Sequence, residues 1–287
     1  MRLYLLGLGI GHSRSPGMWN GVFARLRLDW RYGLLDVGED GLPAALAGLH
    51  DPEVLGYNVT MPYKGWAFAR ASLRSRDAER VRGCNWLHAG GGEVAGDNTD
   101  VAGARALLAA APPSDLVLLL GAGGTAAALL TALEGRAGRV VVAGRTPQRA
   151  ERLARDASAW LGRDAVTAAR WEDRMGHAAR AALLVNTTPL GMGDGRSPLE
   201  EDLRPREGAR IYDAVYGDRP TPLQRQAERW GLPFTDGLAH LEAQAVALLP
   251  HLGLPGEHAG LVRSSLEAAA GRAPHRWRVP GAAAAAG

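Results

Sequence analysis

The continuous apolar run Leu116 to Leu120 leaves no position for water, which fits a strand buried on both faces of a sheet. It leads at once into Gly121-Ala122-Gly123-Gly124-Thr125-Ala126 and then into an apolar helix, Ala127 to Leu133. Strand, glycine loop and helix in that order form a dinucleotide fingerprint: the glycines let the backbone approach a pyrophosphate, and the helix start supplies amide donors. Gly121, Gly123 and Ala126 take the three small positions, with Gly124 and Thr125 completing the loop. A tight structural turn and an adenosylmethionine site are the competing readings. The next strand, Arg139 to Ala143, decides among them. An acidic residue at its end would hold the ribose hydroxyls of NAD, but the chain continues Gly144-Arg145-Thr146-Pro147-Gln148-Arg149. Arg145, Arg149 and the Thr146 hydroxyl suit a 2′-phosphate, so NADP is the expected cofactor. Without an anion, arginines at a helix start are poorly placed against its dipole.

Apolar strand-like runs alternate with helix-period segments along the whole chain, the pattern of βαβ units around a parallel sheet. Leu3 to Leu8, Trp30 to Asp36 and Val54 to Val59 read as strands, and Ser15-Pro16 as the cap and first residue of a helix. Asn85 to His88 and Glu93 to Gly96 read as a short pair, followed by a helix from Thr99 that stops at Pro112-Pro113. Further strands are Leu183 to Asn186, Arg210 to Val215 and Leu232 to Thr235, with the loop around Thr188 and the turn at Gly237 bordering the cofactor. Two helices close the chain with no strand between them, so they are expected to pack back on the first domain. The fold class expected is α/β with two domains. One is an α/β substrate domain, 1–103 plus 238–271, and the other a Rossmann-type doubly wound NADP-binding domain, 104–237, with a disordered tail at 272–287.

Gly56-Tyr57-Asn58-Val59-Thr60-Met61-Pro62-Tyr63-Lys64 ends in the only lysine of the 287 residues. A guanidinium cannot give up its proton in a protein, whereas an ammonium can be tuned to exchange one. Thr60 reads as a cap for a helix that Pro62 begins, which sets Lys64 at a strand-to-helix mouth. Oxidising an alcohol by hydride transfer needs a base for the hydroxyl proton, a role Lys64 can fill. Asp100 lies in the first turn of the next long helix. There it is either a carboxylate favoured by the dipole or the partner of Lys64. Burial would lower the lysine pKa and a carboxylate would raise it, so the net shift is open at this level.

The charge of +3 comes from 33 basic residues scattered among 30 acidic ones, with no basic stripe, which argues against nucleic acid as a partner. The lone Cys84 permits no internal disulfide, and with no signal peptide or bilayer-length apolar run the expected location is the cytoplasm. No metal site is expected.

Together, Ser13-Arg14-Ser15-Pro16, Asn58 to Lys64, Asn98-Thr99-Asp100, the loop at Gly121, Arg145-Thr146 and Gln244 resemble the shikimate dehydrogenase family from about Leu3 to Ala270. The resemblance implies NADP-linked oxidation of shikimate to 3-dehydroshikimate by a monomer or homodimer. Lys64 and Asp100 match the catalytic pair, and Ser13 and Ser15 match the hydroxyls that hold the substrate carboxylate. Thr60, Asn85, Asp100 and Gln244 match positions that read ring hydroxyls, and Tyr216 one that helps at the carboxylate end. So polar a ligand has to be recognised by several fixed hydrogen bonds.

Four positions depart from the family pattern: Trp86 beside Asn85, Trp19 where histidine is common, His240 where methionine often lies beside the nicotinamide, and Gly144 for asparagine. Trp86 either points away or reshapes the pocket, and His240 either packs or alters the cofactor's reactive end. Quinate, aminoshikimate or another cyclic hydroxy acid is the rival substrate, and a non-catalytic regulator the rival class. The cleft between the domains is the expected site.

Overall fold

The computed structural model describes residues 1–162 and 164–277. The chain divides into two compact units, Met1–Gly103 with Glu242–Ala273, and Ala104–Leu241 with the described residues 274–277. The return into the first unit thus falls after Leu241, inside a helix, and not at residue 238.

The first unit contains β1 (Arg2–Gly7), α1 (Ser15–Arg25), β2 (Arg31–Asp36), α2 (Leu42–Gly48), β3 (Val54–Val59), α3 (Lys64–Arg70), β4 (Leu73–Arg74), α4 (Arg76–Val81), β5 (Trp86–Gly90), β6 (Glu93–Asp97) and the start of α5 (Thr99–Ala109). Its sheet has the order β2-β1-β3-β5-β6-β4. β1 runs parallel to both β2 and β3, and β5 is antiparallel to β3 and β6. The elements between Lys64 and Gly83 carry too few apolar positions to be read from periodicity alone. On one face Leu6, Leu49, Tyr57, Val59, Ala67 and Leu87 form the core. Trp19, stacked on Phe23 and Tyr32, is a packing residue on the other elements of this unit.

Two local expectations fail at helix starts. Thr60 caps nothing: residues 61–63 form a turn with a cis Met61–Pro62 bond, and α3 begins at Lys64 after Tyr63, without a side-chain cap. The residue before α1 is Arg14, not Ser15, and no side chain caps the helix; the Ser15 N–H donates to Ser13 Oγ at 3.2 Å.

The second unit holds β7 (Ser114–Leu120), α6 (Gly124–Ala132), β8 (Ala137–Gly144), α7 (Pro147–Leu161), β9 (Val166–Arg170), α8 (Arg174–Ala178), β10 (Leu183–Asn186), β11 (Arg210–Asp213), α9 (Pro222–Trp230) and β12 (Phe234–Thr235). All its strand pairs are parallel, in the order β12-β11-β10-β7-β8-β9, the doubly wound arrangement whose switch point lies between β7 and β10. Leu118, Leu119 and Leu120 are fully buried, each contributing roughly 1.5–3 kcal/mol, as a strand covered on both faces requires. β9 was missed because Val166-Thr167-Ala168-Ala169-Arg170 buries little but its first residue.

α10 (Gly237–Leu248) and α11 (Ala259–Ala270) follow, and α11 packs on α1 within the first unit. Residues 272–277, assigned from the sequence to a disordered tail, are instead tied down. The Asp236 N–H donates to His275 O at 3.1 Å, the Trp277 N–H donates to Thr235 Oγ1 at 3.0 Å, and Trp277 is buried beside Tyr212. Residues 278–287 lie outside the described residues.

Candidate active site

In the first unit Lys64 opens α3 beyond the carboxyl end of β3, and the first turn of α5 after β6 delivers Asp100. Lys64 Nζ stands 2.6 Å from Asp100 Oδ2, with the side chains 17% and 4% exposed. Asn85, just before β5, ties this pair to its surroundings. Its Nδ2 donates to Asp100 Oδ1 at 2.9 Å, to Thr99 Oγ1 at 3.1 Å and to Gln244 Oε1 at 3.2 Å, while its Oδ1 accepts the Thr99 N–H at 2.7 Å. Four predicted residues, Lys64, Asp100, Asn85 and Gln244, therefore meet. Gln244 comes this close because α5 has no side chain at Gly103, where a Cβ would stand 2.7 Å from the Gln244 nitrogen. Gln244 is half-buried, with its amide oxygen turned onto Asn85.

Ser13 sits in the loop after β1 and Ser15 opens α1 behind it; the Asp36 carboxylate grips that loop through the Gly9 and Ile10 N–H groups at 2.7 and 3.0 Å. That loop borders the turn holding Thr60, since the Leu8 N–H donates to Met61 O and the Thr60 N–H to Leu6 O. No hydrogen bond among the described residues joins Ser13, Ser15 or Thr60 to the Lys64 pair. Sequence reasoning gave no role to Asn58, Thr99 or Asp36. Asn58 accepts the Tyr32 hydroxyl at 2.9 Å and donates to Asn85 O at 3.4 Å, so it braces the residue that holds Asp100. The signal that could have found Asp36 is a polar residue ending an apolar strand.

Asp97 closes β6 next to this site. Burial alone would raise its carboxyl, but hydrogen bonds from His251, Ser75 and the Asn98 N–H outweigh that and hold it at about 2. Trp86 is wholly buried, with its ring over Gly56 and beside His88 and His251, so it is a packing residue. Burial pushes the free Cys84 thiol up to about 12, which leaves it unreactive.

In the second unit the glycine loop, Arg145, Thr146, Arg149 and Thr188 lie at or just beyond the carboxyl ends of the adjacent strands β8, β7 and β10, whereas Gly237 follows β12. Gly121 has φ +110° and a Cβ there would meet Thr187, so only glycine fits. Gly123, before α6, has nothing within 4 Å of its Cβ position, and no side chain caps the helix. Gly124 and Thr125 open the helix, and the buried Ala126 packs beneath it. Arg145, Thr146 and Arg149 are exposed at the end of β8, and neither guanidinium makes an ion pair among the described residues. An open glycine cradle, free helix amides and two unpaired arginines fit the pyrophosphate and 2′-phosphate of NADP.

Thr188 donates to Asn186 Oδ1 at 2.7 Å, and Asn186 Nδ2 donates to Asp213 Oδ1 at 2.9 Å. Burial pushes the Asp213 carboxyl up to about 6, against the pull of hydrogen bonds from Thr221, Val215 and Asn186. Gly237 is crowded by Ala214 O and lies 2.9 Å, at its Cβ position, from Tyr216 Cδ1. His240 is buried, and its Nδ1 shares a hydrogen bond of 2.5 Å with the Tyr212 hydroxyl, so it is a packed histidine. Among the described residues no group of three or more His, Cys, Asp or Glu is placed to hold a metal ion, and no helix is long and apolar enough to cross a membrane.

A family model described as the shikimate dehydrogenase substrate binding domain matches residues 5–87. A shikimate dehydrogenase (NADP(+)) of Acidiphilium cryptum is 37% identical over 246 residues, covering 84% of this chain and 86% of its own. The chain belongs to the shikimate dehydrogenase family. Another family relative, the shikimate dehydrogenase (NADP(+)) of Aeropyrum pernix, is 37% identical over 94% of this chain and 98% of its own. Among solved structures, shikimate 5-dehydrogenase from Thermus thermophilus in complex with NADP(H) and shikimate superposes with a TM-score of 0.80. It has 32% identity and covers 94% of this chain and 99% of that one.

Proposed function

We propose that the chain is an NADP-dependent oxidoreductase that interconverts shikimate and 3-dehydroshikimate, with Lys64 and Asp100 handling the hydroxyl proton. The observation that carries this reading is the part-buried Lys64–Asp100 pair held by Asn85. Names of relatives 37% identical, and the shikimate-bound Thermus structure, support the substrate. NADP, when bound, takes the hydride from the alcohol carbon.

The chain's own residues do the rest. Lys64 Nζ moves the proton to and from the substrate hydroxyl, and Asp100 Oδ2 fixes Nζ in position. Asn85 keeps the second Asp100 oxygen satisfied, so the carboxylate stays oriented. Thr60, Asn85, Asp100 and Gln244 read the ring hydroxyls, Ser13 and Ser15 hold the carboxylate, and Tyr216 assists at that end. Gly121, Gly123, Gly124, Thr125, Ala126, Thr188 and Gly237 border the dinucleotide, and Arg145, Thr146 and Arg149 take its 2′-phosphate. We place the enzyme in the cytoplasm as a monomer or homodimer; the single buried thiol supports that compartment.

The test follows NADPH absorbance with shikimate and quinate, each with NADP and with NAD. Rapid reduction of NADP by shikimate is expected. Turnover with quinate alone, or with neither acid, would overturn the assignment.

A further inference from the structure

Because the sheet of the second unit is wholly parallel, its strands have one edge of carboxyl ends, where the glycine loop lies, and one edge of amino ends. Ser114 and Gly121 bracket β7, so the two edges are roughly 20 Å apart at about 3.3 Å per residue. At the amino edge is a cavity of about 430 Å³, within the range of small-molecule sites. Its wall includes Ala110, Pro112, Asp115, Arg206, Arg210 and Trp277.

Arg210, the first residue of β11, is 9% exposed. Its Nη2 donates to Ser114 Oγ at 2.9 Å, its Nη1 is buried with no acceptor, and its Cζ lies 5.9 Å from the Trp277 ring centroid. Among the described residues no carboxylate pairs with it. Asp115, the acid on the cavity wall, is occupied by Arg206 Nη1 at 3.0 and 2.8 Å. Arg136 adds a second positive charge, and burial followed by that charge depresses the Arg210 guanidinium. A buried cation without a counterion is strongly unfavourable, and one retained beside a ligand-sized cavity marks a place for an anion. The remaining wall is mostly alanine, proline and tryptophan, which offers a polyanion nothing.

We propose that this cavity is a second binding site, distinct from the dinucleotide edge, for a small monocarboxylate with an apolar body. The carboxylate meets the Arg210 guanidinium, and the apolar body lies against Trp277, Pro112 and Ala110. Since Nη1 is shielded from solvent, binding turns the guanidinium toward the cavity.

The test is calorimetric titration of the full chain with benzoate, and with benzamide as its uncharged counterpart. Benzoate is expected to bind saturably with one equivalent, and benzamide roughly ten- to hundredfold more weakly, as loss of a charged hydrogen bond implies. Arg210→Met removes the charge, and Ala110→Trp fills the cavity from its exposed rim while keeping the charge. Both should abolish benzoate binding, and thermal melts check that each variant is folded. Should Arg210→Met fail to fold, the benzamide comparison and Ala110→Trp decide. No saturable binding, equal affinity for benzamide, or binding that survives either substitution in a folded variant overturns the proposal.

Discussion

Replacing Lys64 by Met removes the ammonium and keeps most of the aliphatic stem, so packing changes little while Asp100 is left without its cation. The two groups are 2.6 Å apart, and at an effective dielectric near 20 their attraction is roughly 6 kcal/mol. Part of that offsets desolvation, so the loss follows the measured cost of breaking a buried pair from one side, about 3–5 kcal/mol. Asp100 keeps its bond from Asn85 Nδ2 and its place in the first turn of α5, which sets the expectation at the lower end, ~3 kcal/mol. Denaturant unfolding of the parent, Lys64→Met, Asp100→Asn and the double variant forms a thermodynamic cycle. The double variant, with no charge left to bury, should recover much of the stability lost in Lys64→Met. All three variants should lose most turnover while retaining NADP binding. A Lys64→Met protein within ~1 kcal/mol of the parent, with no recovery in the double variant, would show that Lys64 and Asp100 are not an electrostatically coupled pair.

Arg145→Ala should weaken NADP about ten- to hundredfold and leave NAD nearly unchanged, as measured by fluorescence titration; equal losses would show that this arginine does not read the 2′-phosphate. Asp97, held at about 2 against an ordinary 3.8, contributes roughly 2 kcal/mol of stability above pH ~4 that disappears as the pH falls toward 2. Asp97→Asn should flatten that acid limb in unfolding midpoints measured between pH 2 and 6, and an unchanged limb would place it elsewhere. Gly121→Ala forces a Cβ onto Thr187 at φ +110°, so melting should fall and NADP affinity drop together; normal affinity in a folded variant would remove the glycine from the cradle.

The parts of the site legible in the sequence were those whose chemistry is local. The glycine loop, Arg145 and Arg149 are neighbours along the chain, and their strand–loop–helix setting needs nothing distant to be recognised. Lys64 stood out because no other lysine competes with it. Local reading erred at helix starts and at the end of the chain. Thr60 has the chemistry of a cap, but the cis Met61–Pro62 turn moves the helix to Lys64. Arg272 to Trp277 has the composition of a tail, but bonds to Thr235 and Asp236 and the packing of Trp277 on Tyr212 hold it in place.

By itself, then, the sequence determined the α/β class, the parallel doubly wound unit and the identity of the chemically capable groups, because hydrophobic period and short motifs act over a few residues. Tertiary structure alone decided which groups meet. Asp100 lies 36 residues beyond Lys64 and Gln244 159 beyond Asn85, and each pair is joined only because the chain returns through α5 and α10 to the end of β3. It also decided the orientations of Trp86 and His240 and the seclusion of Arg210, since burial depends on which distant surfaces close over a side chain, and no local pattern encodes that.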